Sequence, residues 1–364
     1  MTRPSSGAAS AAHPAAAAHI AAVETAVPEY TATQEQARDF LINHYGSRLS
    51  PRSRSIVHKL FSHPGIRKRH FAFDAPDCLI NEDPDQRIRR FTNKAVELSS
   101  RAIMHALSRA GISPAEVNGL IVNTCTGYIC PGISTYLIEM LNLPRTVQAY
   151  DLVGSGCGGA LPNLRVAESL LKGEASGVVV SASVEICSAT FQMEDDLSLI
   201  VSNALFADGA AAAVLWNRPE GFELVASASY YVPEHRDDIR YVHRNGQLFN
   251  QISSTLSHAV KKAAARVVDD LLKPRGLSIG NIRHWALHNG GEKIIAAIKS
   301  EIGLSEEQLR ATRAILAGYG NMSSPTVWFV LRNIIENGIE PGEWCVMLAF
   351  GAGLSAHGYL LRKK

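Results

Sequence analysis

Asp151–Leu171 reads DLVGSGCGGALPNLRVAESLL. An apolar approach ends in Gly154-Ser155-Gly156, and Cys157 follows at once. Gly158-Gly159 then lead into a run with Leu161, Leu164, Ala167, Leu170 and Leu171 at helical spacing. Glycines permit a sharp strand-to-helix turn and leave the sulfur uncrowded. Pro162 fits, because the first turn of a helix tolerates proline. The stretch predicts Cys157 at a helix N-terminus, where unpaired N–H groups and the helix dipole favour a thiolate. That is a place for a covalent nucleophile. The ordinary alternative is a buried, inert cysteine, since free cysteine packs as a small hydrophobe.

Around this stretch the chain has 364 residues, 46% hydrophobic and 19% charged. That leaves length for a large core or two domains. A net charge of +2 argues against bulk nucleic-acid binding. The cysteines, Cys78, Cys125, Cys130, Cys157, Cys187 and Cys345, have no CxxC or CxxH spacing. No metal site is expected, and scattered reduced thiols fit a cytoplasmic enzyme better than a disulfide scaffold. No apolar run approaches the roughly 18 residues of a membrane span. The alanine-rich start is broken by His13, Pro14 and His19. It reads as a flexible tail, residues 1–18, rather than a signal peptide.

The body opens with a strand over Ile20–Val27 and a Thr-capped helix over Thr33–Tyr45. Pro51–His70 is basic, a solvated face or a receiver of phosphates. Asn93–Ala110 predicts an amphipathic helix ended by Gly111. Gly119–Thr124, Gly177–Ser183 and Ala210–Trp216 read as buried strands. After Arg218-Pro219-Glu220-Gly221 the pattern restarts with a strand at Phe222–Ser229. Two halves are therefore expected, 19–219 and 220–364. In the second, Gln251–Leu272 predicts one long helix, and Gly291–Glu301 and Thr326–Asn337 two more. Trp285–Leu287, Trp344–Phe350 and Gly358–Leu361 read as strands.

The halves repeat one another. The first runs helix, Gly111-Ile112-Ser113, VNGLIVNTCTG, Gly154-Ser155-Gly156-Cys157, helix; the second runs helix, Gly276-Leu277-Ser278, NIRHWALHNGG, Gly318-Tyr319-Gly320-Asn321, helix. From Gly111 to Cys157 is 46 positions and from Gly276 to Asn321 is 45. Two like α/β halves about a pseudo-twofold would bring Cys157 and Asn321 together, each before an equivalent helix. His288 lies just after the second copy's strand, where loops carry chemistry. The three make a nucleophilic set. His288 can take or hold the thiol proton, and the Asn321 amide and a His288 ring N–H can donate to an oxyanion. Singly, each has an ordinary alternative: a core histidine, or an asparagine in a turn after Gly320.

At this point the sequence resembles the chalcone-synthase-like type III polyketide synthases, nearer to bacterial members than to plant ones. The resemblance rests on GYGNMSS at Gly318–Ser324, TGYICPG at Thr126–Gly132, LFADGAAA at Leu205–Ala212, ALHNGG at Ala286–Gly291 and FGAGLS at Phe350–Ser355, in the family's order. It implies a thiolase fold, a duplicated five-layer αβαβα core, and a homodimer. It implies a Cys-His-Asn site fed by acyl-CoA and malonyl-CoA, with CoA thioesters as substrates and no cofactor. By position, Cys157 would hold the acyl chain, and His288 and Asn321 would stabilise the enolate formed by decarboxylation. Phe206 and Phe249 match the family's two gate aromatics, with core packing as the ordinary alternative. Lys59 and His63 fall near positions that contact CoA phosphates. Cys130, in the TGYICPG loop, would approach the partner's cavity. Thr124, Cys125, Thr126, Cys187 and Leu197 are candidates for the cavity wall, and Gly290 and Gly291 follow the histidine.

The sequence departs from the family pattern at His288-Asn289-Gly290-Gly291 and Phe350-Gly351-Ala352-Gly353, where HPGG and FGPG are common. Starter choice, extension number and cyclisation are left open, with a slight lean to a fatty acyl starter and a pyrone or resorcinol product. Two alternatives stand beside this reading. A ketoacyl-carrier-protein synthase III-like enzyme would share the fold and the three residues but condense once; GNMSS and the paired phenylalanines favour the polyketide synthase. A non-catalytic thiolase-fold scaffold is opposed by the intact Cys157, His288 and Asn321.

Overall fold

The computed structural model describes residues 17–172 and 177–364. The first half supplies strands β1 (His19–Ala26), β2 (Thr31–Thr33), β3 (Lys68–His70), β4 (Gly119–Asn123), β5 (Gln148–Leu152), β6 (Val178–Glu185) and β7 (Gly209–Trp216). Its helices are α1 (Gln34–Tyr45), α2 (Pro51–Phe61), α3 (Cys78–Asn81), α4 (Pro84–Ala110), α5 (Ile133–Met140), α6 (Ala160–Leu171) and α7 (Leu197–Leu205). The second half supplies β8 (Phe222–Tyr231), β9 (Ile239–Arg244), β10 (Gln247–Ile252), β11 (His284–Leu287), β12 (Trp344–Gly351) and β13 (Ser355–Lys363). Its helices are α8 (Leu256–Leu272), α9 (Glu292–Ile302), α10 (Arg310–Tyr319) and α11 (Thr326–Glu336).

Nine strands make one sheet, ordered β11-β12-β13-β8-β1-β7-β6-β4-β5. Within the sheet, the strands of the two halves pair where His19 and Ile20 meet Glu223 and Phe222. Outward from that seam both run alike. β1 pairs antiparallel with β7, β7 antiparallel with β6, and β6 parallel with β4. β8 pairs antiparallel with β13, β13 antiparallel with β12, and β12 parallel with β11. The duplication expected from the glycine spacings is this topology. It is broken once: β5 continues the first half in parallel beyond β4, whereas the chain before Asn321 forms helix α10.

Side-chain alternation sets the layers, because successive residues of a strand face opposite sides. Ile121, Val179 and Ala213 share a core with Leu161 and Leu164 of α6, Val327 and Trp328 of α11, and Met347 of β12. Their neighbours Leu120, Val122 and Val180 pack instead with Leu98 and Ala102 of α4. Val346 and Leu348 pack with Val267 of α8 and Ile295 of α9. The core is therefore αβαβα, with α6 and α11 together in the middle layer.

Three expectations are revised. The helix predicted over Gln251–Leu272 begins at Leu256, and Gln247–Ile252 is strand β10, paired with β9. Asn245-Gly246 joins these strands with φ of 50° and 72°, the two positive values a tight hairpin turn requires. Helix α4 starts earlier than predicted, at Pro84, because Asp83 and Gln86 form a capping box. Of the expected tail, residues 1–16 lie outside the described ones; Ala18 is buried and its carbonyl accepts the Leu224 N–H. Among the described residues no helix is long and apolar enough to cross a membrane.

Candidate active site

Cys157 sits in a single 3-10 turn, Gly156–Gly158, directly before α6. Glycine is required here for two reasons. Gly156 has φ +53°, a conformation that costs most other residues steric energy. Across the halves, the end of β12 lies against this turn: a Cβ on Gly351 would overlap the Ser155 carbonyl and the Gly158 N–H. Asn321 stands at the equivalent place before α11, and His288 follows β11. All three line one cavity of about 450 Å³, whose walls include Leu60, Ile66, Val201, Ile252, Val260 and Leu316.

Ser323 contacts two of the three, one through its hydroxyl and one through its N–H. The Cys157 sulfur accepts the Ser323 hydroxyl at 3.3 Å. The Asn321 Oδ1 accepts the Ser323 N–H at 2.8 Å, which leaves the amide NH2 as the end that can donate. The Asn321 backbone bridges to the end of α7: its N–H donates to Leu205 O and its carbonyl accepts from Ala207 N–H. The His288 N–H donates to Leu348 O, and its ring packs edge-on to Phe350 with centroids 5.0 Å apart. Asn289 Nδ2 donates to Gly320 O at 3.0 Å, tying the histidine loop to the asparagine loop.

Burial dominates the electrostatics. It pushes the Cys157 thiol up to about 12, against the Ser323 hydrogen bond, with the Glu185 charge adding to the rise. Burial therefore opposes the thiolate that the helix terminus favours. Part of that terminus is already spent, since Gly158 and Gly159 donate to Ser155 O and Gly156 O. Burial also takes His288 down to about 3. Both groups are held toward their neutral forms, thiol and imidazole.

The other residues singled out in the sequence separate into two groups. Phe206, Leu197, Gly290 and Gly291 line the cavity, as does His63. Phe206 also walls a smaller aromatic cavity of about 90 Å³, which Cys187 lines too. Phe249 and Lys59 are elsewhere. The Phe249 ring is buried under the Arg244 guanidinium, 5.1 Å from centroid to carbon; from the same hairpin Ile239 and Ile252 reach the cavity. Lys59 is exposed on α2, and its neighbour Leu60 faces in. Cys130 is exposed. Thr124, Cys125 and Thr126 are directed to Glu185: its oxygens accept from the Thr124 and Thr126 hydroxyls and the Cys125 N–H and S–H. Ser323 and Ser324 reach the same carboxylate at 3.3 and 2.7 Å. Burial raises the Glu185 carboxyl, with these hydrogen bonds opposing.

Glu185 and Ser323 were not singled out in the sequence. Glu185 did carry a signal: it is the one charged residue of an eight-residue strand that is otherwise apolar or hydroxylic, VVVSASVE. Ser323 lies inside the GNMSS segment, but nothing local says that its hydroxyl faces the sulfur.

Residues 29–272 match the model of the FAE1/type III polyketide synthase-like proteins, and residues 223–364 match that of the chalcone and stilbene synthase C-terminal domain. The chain belongs to the type III polyketide synthase family. It is 30% identical to a 3,5-dihydroxyphenylacetyl-CoA synthase of Streptomyces toyocaensis over 82% of this chain and 80% of that one. It is 28% identical to a 1,3,6,8-tetrahydroxynaphthalene synthase of Streptomyces peucetius subsp. caesius over 94% of this chain and 92% of that one. The structure of PKS-I from the brown alga Ectocarpus siliculosus superposes with a TM-score of 0.90 at 27% identity, covering 97% of this chain and all (100%) of that one. That of the tetrahydroxynaphthalene synthase of Streptomyces coelicolor A3(2) gives 0.89 at 22% identity, a likeness of fold, covering 95% and 99%. The five-layer core is thus the thiolase fold of type III polyketide synthases, and the chain is an acyltransferase of the decarboxylating, condensing kind.

Proposed function

We propose that this polyketide synthase loads a fatty acyl group from CoA onto Cys157 and extends it with malonyl-CoA to a pyrone or resorcinol. The observation that carries the reading is the shared cavity: nucleophile, imidazole and amide donor open into one mostly apolar space of about 450 Å³. That volume is within the range of about 300–1,000 Å³ that holds ligands of this size. Cys157 attacks the starter thioester and CoA leaves. His288, which shares the cavity, takes the thiol proton and returns it to the departing CoA sulfur. Malonyl-CoA then loses CO2, and the resulting negative oxygen is stabilised by the Asn321 NH2 and a His288 ring N–H. The enolate attacks the Cys157 thioester, and the lengthened chain leaves on CoA. The charge is borne by N–H donors, so the scheme calls for no metal or redox cofactor.

A panel of starters tests this. Lauroyl-CoA with malonyl-CoA should give a product whose mass contains the lauroyl chain. A product made from malonyl-CoA alone, with no lauroyl group incorporated, overturns the fatty acyl assignment. Malonyl-CoA should also serve as extender in place of malonyl carrier protein; strict dependence on the carrier protein would restore the single-condensation alternative.

We also propose that the working form is a homodimer in the cytoplasm. β5 is an edge strand, and Tyr150 on it, Val153 after it, Met140 on α5 and Tyr128 in the TGYICPG loop are exposed. An unpaired edge beside large exposed apolar side chains is a surface that gains from being covered. Sedimentation should show twice the mass of the chain. An active monomer at every concentration would contradict it. The free cysteines fit a reducing compartment.

A further inference from the structure

We propose that Arg69 is a positioning residue for malonyl decarboxylation, holding the end of α7 so that Asn321 presents its amide to the cavity. This rests on the assignment of Asn321 as an oxyanion donor.

The last carbonyls of a helix have no partners within it. At the end of α7 four in succession are taken from outside. Arg69 Nη1 donates to Asn203 O at 2.8 Å and to Phe206 O at 2.7 Å. Gln34 Nε2 donates to Ala204 O at 2.8 Å, and Gln34 is itself fixed by Arg69 Nε, which donates to its Oε1 at 2.8 Å. The remaining carbonyl, Leu205 O, accepts the backbone N–H of Asn321 at 3.0 Å. The guanidinium and the asparagine backbone therefore complete one helix terminus between them. They also touch from the other side. Gly320 packs on the arginine stem so closely that a Cβ there would lie 2.8 Å from Arg69 Cγ and 3.0 Å from Leu205 O.

Arg69 has no obvious reason to be buried other than this. It is 2% exposed, between the rings of Phe61 and Phe71 at 5.7 and 5.0 Å. Among the described residues no carboxylate forms an ion pair with it. Asp208, whose charge it feels, has its oxygens engaged by Ala72 N–H and by the Ser188 N–H and hydroxyl. A buried cation without a counter-ion is costly. The compensation is the negative end of the α7 dipole and its free carbonyls.

The experiment compares Arg69→Met, Asn321→Ala and the double variant, measuring CO2 release from malonyl-CoA and acyl loading of Cys157 separately, beside thermal melts. Misplacing a catalytic group by about 1 Å costs up to about 100-fold, so Arg69→Met should lower CO2 release about 10- to 100-fold and change loading less than about threefold. The double variant should be within about twofold of Asn321→Ala, because the arginine acts through the asparagine. Effects that multiply overturn the proposal. So does a parallel fall of loading and CO2 release with a lowered melt, which is a structural role only. Should Arg69→Met not fold, Arg69→Lys carries the same comparison: it keeps charge and stem but cannot bridge Gln34 and two carbonyls at once. Asn321→Ala with wild-type CO2 release overturns the asparagine assignment itself. A defective Asn321→Ala beside an unaffected Arg69 variant overturns the arginine proposal alone.

Discussion

Replacing Cys157 by alanine should remove acyl-enzyme formation entirely while leaving some malonyl-CoA decarboxylation in place. The change deletes one sulfur from a buried site and should cost the fold only about 1 kcal/mol. No other thiol is placed to take over. Cys125 is held by Glu185 and does not line the cavity; Cys187 lines the smaller one. Without a thioester the enolate has no electrophile, so condensation should fall by at least about 1,000-fold. His288 and Asn321 remain, so CO2 release should stay within about tenfold of wild type, the loss reflecting only altered packing of the substrate. Intact-protein mass measurement and CO2 release on the same preparation read the two steps separately. Normal condensation by the variant would show that the nucleophile lies elsewhere.

The opposite split is expected of Asn321. Asn321→Ala should still load an acyl group, while decarboxylation falls roughly 100- to 1,000-fold, the usual effect of losing one oxyanion donor. The alanine also strands the buried Ser323 N–H, which now donates to Asn321 Oδ1, at a cost of about 1–3 kcal/mol in stability. Asn321→Asp removes that ambiguity. It keeps an acceptor for Ser323 and lacks the NH2, so it should decarboxylate as poorly as the alanine variant. An aspartate variant with wild-type CO2 release would reduce Asn321 to a turn residue.

The fold was legible where local patterns carry it. The glycine-bounded strands and the like spacing to Cys157 and Asn321 reflect turns that each half must make, and the paired sheet orders bear them out. The Asn245-Gly246 pair is itself a hairpin signal, but the apolar spacing of the helix that follows extends back over Gln251 and Ile252, the last two residues of β10. Properties that depend on distant chain were hidden. Arg69 lies in a run with Arg67 and Lys68, both exposed, and only the facing of β3 and the arrival of α7 make it different. The surroundings of Cys157 were hidden for the same reason: the helix terminus is a local feature, whereas the burial that opposes a thiolate there comes from the other half, through β12 and the Ser323 turn.

The central claim is that Cys157 carries the growing chain in a cavity shared with His288 and Asn321. Its most direct test is to mix the wild-type protein with each acyl-CoA of the starter panel, without malonyl-CoA, and to map the adduct by peptide mass spectrometry. One acyl group on the peptide containing Cys157 is the expected result. An acyl group on another cysteine, or no adduct on folded protein with any starter, would contradict it.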